Sequence, residues 1–262
     1  MMTQEHKPSL SEQEKAQLFH KLHKQFVKAF ATYHLLSDDD HVLVGLSGGK
    51  DSLFLTEMLA HQMRIEHPRI RVEALHVRMD NITYDTSTDY LEHFCKELNI
   101  PFHIRTTHFD VNDDNHCSSR DIRRQKSPCF LCSWYRRKEL FNLAQELECN
   151  KIALGHHQDD IINTTLMNLT FQGRFSTMPA LLKMKKMPLT IVRPLCMMEE
   201  SDIIRYAELS GYEKQLKRCP YEHDTHRTDI RQLYKLAESM NPDVRHSIWN
   251  ALNSAGKLVE DY

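Results

Sequence analysis

The chain has 262 residues, with 34 basic and 36 acidic side chains, a net charge of −2, 40% hydrophobic and 27% charged residues. This length suits one large domain, or one with a small appendage, that buries a core without disulfides, and the ordinary composition excludes general disorder, collagen-like repeats and coiled coils. The near-neutral balance also excludes a protein that coats nucleic acid by global charge, so any RNA contact must use a local patch.

The opening segment MMTQEHKPSLSEQEK lacks the apolar stretch of a secretory signal, and no run approaches the ~18 apolar residues of a membrane helix. A soluble, cytoplasmic protein without membrane contact is expected. Seven cysteines, an odd number, favour reduced thiols, metal ligands or redox chemistry over a disulfide framework.

In chain order, residues 11–34 read as an amphipathic helix, with Ser11 and Glu14 as a capping box and Leu18, Leu22, Phe26 and Phe30 recurring every fourth residue. Ser37-Asp38-Asp39-Asp40 ends it. His41–Leu46 predicts a strand and Lys50–Arg64 a helix, then Ile70–Val77 a strand and Thr88–Leu98 a helix. Pro101–Thr106 predicts a third strand, and residues 107–127 are polar and irregular. A helix follows over Pro128–Glu148, a strand over Lys151–Gly155, a helix over Asp159–Thr170 and a strand over Leu189–Val192. Residues 199–255 read as helices. Strands alternating with helices imply parallel pairing with right-handed crossovers. The expected fold is α/β: a doubly wound parallel sheet over residues 39–198, with a helical extension over 1–38 and a helical tail over 199–262. Ligands in such sheets bind at the carboxyl ends of the strands.

Glycine gives the sharpest clue. The chain holds seven glycines, where about 18 would be average at ~7% usage. Three of them, Gly45, Gly48 and Gly49, fall in Val44-Gly45-Leu46-Ser47-Gly48-Gly49-Lys50-Asp51-Ser52, at a strand-to-helix junction. Bare backbone there turns N–H groups toward an anion, and the helix start adds its positive end. Lys50 offers a charge, Ser47 and Ser52 offer hydroxyls, and Asp51 can hold Mg²⁺ against phosphate oxygens. The Walker A spacing is absent. SGGKDS resembles the PP-loop of the ATP pyrophosphatase superfamily, which implies that family's fold and cleavage of ATP to AMP and pyrophosphate.

A second strand-to-helix junction, Gly155-His156-His157-Gln158-Asp159-Asp160, resembles the GHHxDD block that completes the nucleotide site in that family. The resemblance implies that Gly155 backs the nucleotide and that Asp160 supports the metal or the loop. His156 and His157 either cap strand ends and pack locally or act directly in catalysis. The end of the second strand, His76-Val77, is expected to offer backbone groups to adenine.

Cys129 and Cys132, in SPCFLC, fall at a helix start with Ser127 as N-cap and Pro128 as first helical residue. At i and i+3 they share a face, and the helix dipole with Arg136 and Arg137 favours thiolate. That suits a metal ligand or a sulfur carrier. The third candidate is Cys219, in Lys217-Arg218-Cys219-Pro220-Tyr221. A CxxC and a distant cysteine in a PP-loop chain, with CxxCxxxRR, IALGHHxDD and IVRPL in order, resemble the tRNA 2-thiocytidine synthetase family over about residues 40–255. The resemblance implies a [4Fe–4S] cluster on Cys129, Cys132 and Cys219 with one iron lacking a protein ligand; members can carry a second cysteine just before the third, and here only Cys219 is present. Read from the residues alone, Zn²⁺ on the three cysteines with His223, a persulfide or redox role, and plain structural thiols stay open. Cys95, Cys149 and Cys196 lie in or beside apolar segments and read as packed small hydrophobes, and Cys117 as a loop thiol.

Arg120, Arg123, Arg124, Lys126, Arg136, Arg137 and Lys138 form one basic block around the CxxC, and Lys183, Lys185, Lys186 and Arg193 a second. Such blocks suit RNA phosphates or are ordinary solvated surface, and Trp134 and Tyr135 could stack on an unpaired base. Arg136 instead suits an ATP phosphate, as the resemblance implies. The function expected from that resemblance is ATP-dependent tRNA thiolation of cytidine, with Lys50, Asp51, Cys129 and Cys132 as catalytic residues and ATP, Mg²⁺ and the cluster as cofactors. The partners are tRNA, a sulfur donor (sulfide or a persulfide protein) and, as a homodimer, a second copy. The rivals are a tRNA lysidine synthetase-like ligase and a nucleotide-binding redox sensor.

Overall fold

The computed structural model describes residues 9–65, 67–80, 84–85, 87–108, 128–213, 216–217 and 226–261. Cys117, Arg120, Arg123, Arg124, Lys126, Ser127, Cys219 and His223 lie outside these residues.

The strand His41–Gly45 (β1) is apolar through its middle and buried along its length, as a central strand between two helical layers must be. It pairs in parallel with Arg71–Met79 (β2) on one side and Lys151–Ala153 (β5) on the other. Beyond β2 lies Phe102–Thr107 (β4), and beyond β5 lies Thr190–Val192 (β7), both also parallel. The chain therefore runs outward from β1 to β4, then crosses back to β5. The order β4-β2-β1-β5-β7 places the switch point between β1 and β5. Tyr84–Asp85 (β3) and Leu216–Lys217 (β8) form a separate two-stranded ladder.

The connections are Lys50–Gln62 (α2), Thr88–Glu97 (α3), Pro128–Glu146 (α4) and Gln158–Gln172 (α5). The doubly wound fold expected from the alternation is present, with two corrections. Leu181–Lys183 (β6) pairs antiparallel to β7, because a short hairpin joins them, so the sheet is mostly and not wholly parallel. The tail is not all helix. After Glu200–Ser210 (α6), Arg227–Met240 (α7) and Val244–Ser254 (α8), Val259–Asp261 (β9) adds to β6 as the seventh strand of the main sheet. Three residues at a chain end carry too little alternation to announce a strand.

The first helix, Leu10–Tyr33 (α1), begins a turn-fraction earlier than the pattern suggested. Its capping box is Ser9 with Glu12, not Ser11 with Glu14: Ser9 Oγ accepts from Glu12 N–H at 3.3 Å and Ser9 N–H donates to Glu12 at 2.6 Å. Two serines two residues apart, each followed by a Glu at the capping spacing, make the register ambiguous from sequence. Leu22, Phe26 and Phe30 are buried as the stripe requires. Tyr33 donates to Asn253 of α8 at 3.0 Å and stands edge-on to Trp249. Cys95, Cys149 and Cys196 are buried, and burial pushes each thiol up to about 12, so these three are packing residues.

α6 is fastened to α2 by a half-buried carboxylate. Tyr206 donates to Glu57 at 2.6 Å and Tyr212, just past the helix, donates to its other oxygen. Phe54 packs on Tyr206 at 4.9 Å between ring centres. A hydrogen bond to a charged group contributes about 1.5–3 kcal/mol. Tyr212→Phe is expected to lower unfolding free energy in urea by that amount with an unchanged slope; a wild-type midpoint would remove this clamp from the account.

Candidate active site at the strand ends

β1 ends at Gly45, where a Cβ would stand 3.1 Å from Leu154 and 3.6 Å from Leu140 of α4. The chain then turns into α2 through Ser47, Gly48 and Gly49. Gly48 has φ +84°, a conformation open to glycine. The loop closes on itself through Ser52, which is 5% exposed: its hydroxyl donates to Gly49 O at 2.9 Å, accepts from Gly48 N–H at 3.1 Å and meets Ser47 Oγ at 3.1 Å. Ser52 thus braces the loop from beneath, while Ser47 is exposed. Gly49 caps α2 with no side-chain bond, so the first helical N–H groups face outward as an anion cradle.

The second motif meets the first through a backbone contact. A Cβ on Gly155 would lie 3.0 Å from the carbonyl of Asp51 and 3.1 Å from Ser52 N. Only glycine lets the end of β5 approach the loop this closely. His157 then opens α5 as its N-cap, and Asp160 accepts from its N–H at 3.2 Å.

Four carboxylates converge here. His157, 3% exposed in its side chain, has Nε2 at 3.4 Å from Asp160, 3.9 Å from Asp51 and 3.9 Å from Glu200, and Nδ1 at 3.7 Å from Asp159. Lys50 bridges Asp51 at 3.1 Å and Glu200 at 2.9 Å. Burial works against its ammonium, and the two carboxylates outweigh burial, so its pKa lies above the ordinary lysine value. Burial raises the Asp160 carboxyl, His157 opposes that, and Asp51 and Glu200 add repulsion, leaving it above its usual range. Asp159 is held below its usual range despite burial, because Arg245 of α8 binds it at 2.7 Å and Glu200 N–H donates to it at 2.8 Å.

The donor set fits Mg²⁺ bound with a nucleotide. Asp51 Oδ1 is buried, and among the described residues no hydrogen bond reaches it. Mg²⁺ takes one or two carboxylates together with phosphate oxygens and water, as Asp51 and Asp160 offer. Val77 is half-buried in β2, beside buried His76, whose Nδ1 sits 2.8 Å from Leu46 O.

α4 brings the thiols to the same end. Leu140 packs beside Gly45, and Arg136, one turn earlier, lies within electrostatic reach of His76. Cys132 and Cys129 continue this helix toward its N-terminus, so they stand beyond the strand ends, Cys129 exposed and Cys132 half-buried. Cys219, the third expected ligand, lies outside the described residues.

Two further residues carry the site without a spacing that marks them. Glu200 opens α6 and reaches Lys50 from 150 positions away. Arg193, read from sequence as part of a basic block, is 7% exposed and donates to His156 Nδ1 at 3.2 Å and Pro179 O at 2.5 Å. Burial, with Arg193 next, holds His156 down at about 3, so it is neutral with its proton on Nε2. Arg193 is thus separated from the exposed lysines of that block. Lys183, Lys185 and Lys186 belong to the β6–β7 hairpin, which precedes β7 and so lies at the opposite end of the sheet from the site.

Gly155→Ala is expected to raise the ATP dissociation constant at least about tenfold, since the loop backbone must shift (a penalty near 1.4 kcal/mol or more), with the thermal midpoint lowered only slightly. Wild-type ATP affinity would show that the close approach does not set the loop.

Residues 16–235 match the PP-loop domain model. A tRNA-cytidine(32) 2-sulfurtransferase of Bordetella avium is 32% identical over 244 residues, covering 92% of this chain and 74% of that protein. One of Acinetobacter baumannii is 33% identical over 239 residues, covering 90% and 77%. Among solved structures, the U34-tRNA thiolase NcsA of Methanococcus maripaludis, described with its [4Fe-4S] cluster, superimposes with a TM-score of 0.70 at 24% identity, covering 97% of this chain and 88% of that one, which bears out the fold. With a PP-loop domain match over residues 16–235 and relatives about a third identical over nine-tenths of its length, the chain belongs to the PP-loop family, among the ATP-dependent tRNA sulfurtransferases.

Proposed function

We propose that this enzyme converts a cytidine of tRNA to 2-thiocytidine at the cost of one ATP, cleaved to AMP and pyrophosphate. The observation that carries the reading is the convergence of the PP-loop, the GHHQDD block and the CxxC helix start at one end of the sheet, in a chain about a third identical to tRNA-cytidine sulfurtransferases.

The chain's residues divide the work. The α2 N-terminus with Gly45, Ser47, Gly48 and Gly49 cradles the phosphates, and Ser52 holds that cradle shut from below. Lys50 leaves Glu200 to meet the polyphosphate, where its charge stabilises the forming pentacoordinate phosphorus. Asp51 and Asp160 are the carboxylates that would hold Mg²⁺, which supplies charge neutralisation between phosphate oxygens. Gly155 and the backbone at Val77 flank the adenosine, and Arg136 faces the phosphates from α4. The C2 oxygen of the base attacks the α-phosphorus, pyrophosphate leaves, and the adenylated C2 accepts sulfur as AMP departs with the oxygen. Cys129, Cys132 and Cys219 would hold a [4Fe–4S] cluster, whose chemistry when bound is to present a sulfide at an iron without a protein ligand.

The sulfur donor is proposed to be sulfide or a persulfide protein, the assembly a homodimer and the compartment the cytoplasm. No described helix is long and apolar enough to cross a membrane. The proposed division is a helical extension over 1–38, the ATP-binding domain over 39–198 and a C-terminal segment over 199–262.

Lys50→Ala and Asp51→Ala are each expected to abolish AMP formation while leaving the circular dichroism spectrum unchanged. Ala at Cys129, Cys132 or Cys219 is expected to remove iron absorbance and thiolation but to spare pyrophosphate exchange. Iron and sulfide counts after anaerobic reconstitution, with nucleoside mass spectrometry, check both. Thiolation surviving the loss of Cys219, or stoichiometric zinc without iron, contradicts the cluster; AMP and pyrophosphate formed with tRNA but no 2-thiocytidine would favour a lysidine synthetase-like ligase.

A further inference from the structure

α5 begins at the active site with Asp159 and Asp160 and ends at Gln172, about 20 Å away at 1.5 Å per residue. The chain there does not run off into solvent. Gly173 takes a left-handed turn, Arg174 N–H donates to Asn168 O at 3.1 Å, and Asn168 Nδ2 donates to Ser176 O at 3.0 Å and Oγ at 3.1 Å. Thr177 then donates to Ile161 O at 2.7 Å, tying the returning strand of chain along the helix. This fastened turn presents Phe171 at 52% and Phe175 at 38% exposure, with Arg174 exposed between them.

α7 lies antiparallel to α5 and links this turn to the site. At its start the His226 ring lies tilted by 32° against Phe171 with ring centres 4.4 Å apart, and His226 sits 3.5 Å from Asp229. Toward its end Tyr234 meets Arg245, which binds Asp159. Between them Arg227 and Arg231, one turn apart and both exposed, lie within electrostatic reach of His156 and Glu200 respectively.

We infer that Phe171, Arg174 and Phe175 on the turn after α5, with His226, Arg227 and Arg231 at the start of α7, form the surface that seats the single-stranded tRNA loop carrying the target base. The inference rests on the tRNA reading above. Two exposed phenylalanines held on a hydrogen-bonded turn are costly in water unless they meet a partner. Sequence-specific RNA recognition targets loops whose splayed bases stack on aromatic rings, and arginine forks pair with phosphates. Three arginines concentrated here, on a chain of net charge −2, favour a polyanion over a second copy of the chain. The surface starts at the rim of the ATP site, so a base extruded from the loop enters at the strand ends while its neighbours stay on the turn.

The test uses the full chain with a tRNA transcript carrying the substrate cytidine, its binding followed across a KCl series. The double variant Arg174→Glu/Arg227→Glu is expected to weaken binding at least about tenfold and to shallow the log–log salt slope by roughly 1–2. Phe171→Ala/Phe175→Ala is expected to weaken it roughly 5- to 100-fold with the slope unchanged. Both keep wild-type ATP affinity and thermal midpoint, and Arg174→Gln and Phe171→Leu show smaller losses in the same direction. Wild-type tRNA affinity and slope in both double variants, with thiolation intact, overturns this surface alone. The same result with an altered sedimentation coefficient assigns the face to self-association and also overturns it. A wild-type protein that binds no tRNA overturns the function reading as well.

Discussion

Crowded negative charge at the ends of β1 and β5 is the constraint on which the rest of the molecule depends. Asp51, Asp159, Asp160 and Glu200 come from three different helices and meet around one buried histidine. Like charges at these distances repel strongly where water is excluded. The protein answers with two cations, Lys50 between its neighbour Asp51 and the distant Glu200, and Arg245 on Asp159. Each pairing pins one element to another: α6 to α2, and α8 to α5. The C-terminal helices are thus part of the nucleotide site, although they lie outside the sheet.

The same compensation prepares the loop for its ligand. A carboxylate-rich pocket is a poor host for triphosphate by itself and a good one once a divalent cation is included. Lys50 rests against Glu200 as a preformed ion pair, so it does not need to be ordered when ATP arrives, only redirected. The Glu57 clamp, two tyrosine hydroxyls on one half-buried carboxylate, holds α6 in place for that pair. Rigid positioning of charge, with no reorganisation at the moment of reaction, is the larger part of what phosphoryl and nucleotidyl transfer ask of a protein.

Much of this was legible before any coordinates. The glycines at 45–49 and 155 announced both junctions, because close backbone approach excludes a Cβ and few other positions of this chain permit it. The buried cysteines were separable from the CxxC pair by their apolar neighbours. Glu200, Arg245 and Arg193 were not legible: their partners lie 150, 86 and 37 residues away, and a long-range ion pair leaves no local spacing. A hydroxyl in a phosphate loop has two uses, and only the hydrogen bonds of Ser52 to Gly48 and Gly49 show that it also braces the loop. The charge run of the lysine hairpin is visible in sequence, while the end of the sheet it occupies is not. β5 and β7 are equally short but are apolar runs buried at their centre, whereas β6 (Leu-Leu-Lys) and β9 (Val-Glu-Asp) end on charged, exposed residues and so escaped.

The central claim is that one site first activates the base with ATP and then exchanges its oxygen for sulfur. Heavy oxygen placed at C2 of the substrate cytidine tests it most directly. If the base oxygen attacks the α-phosphorus and departs with AMP, mass spectrometry of a single turnover will find the label in AMP, one equivalent for each 2-thiocytidine formed. Label appearing in water or phosphate, with AMP unlabelled or ADP as the nucleotide product, would contradict the account.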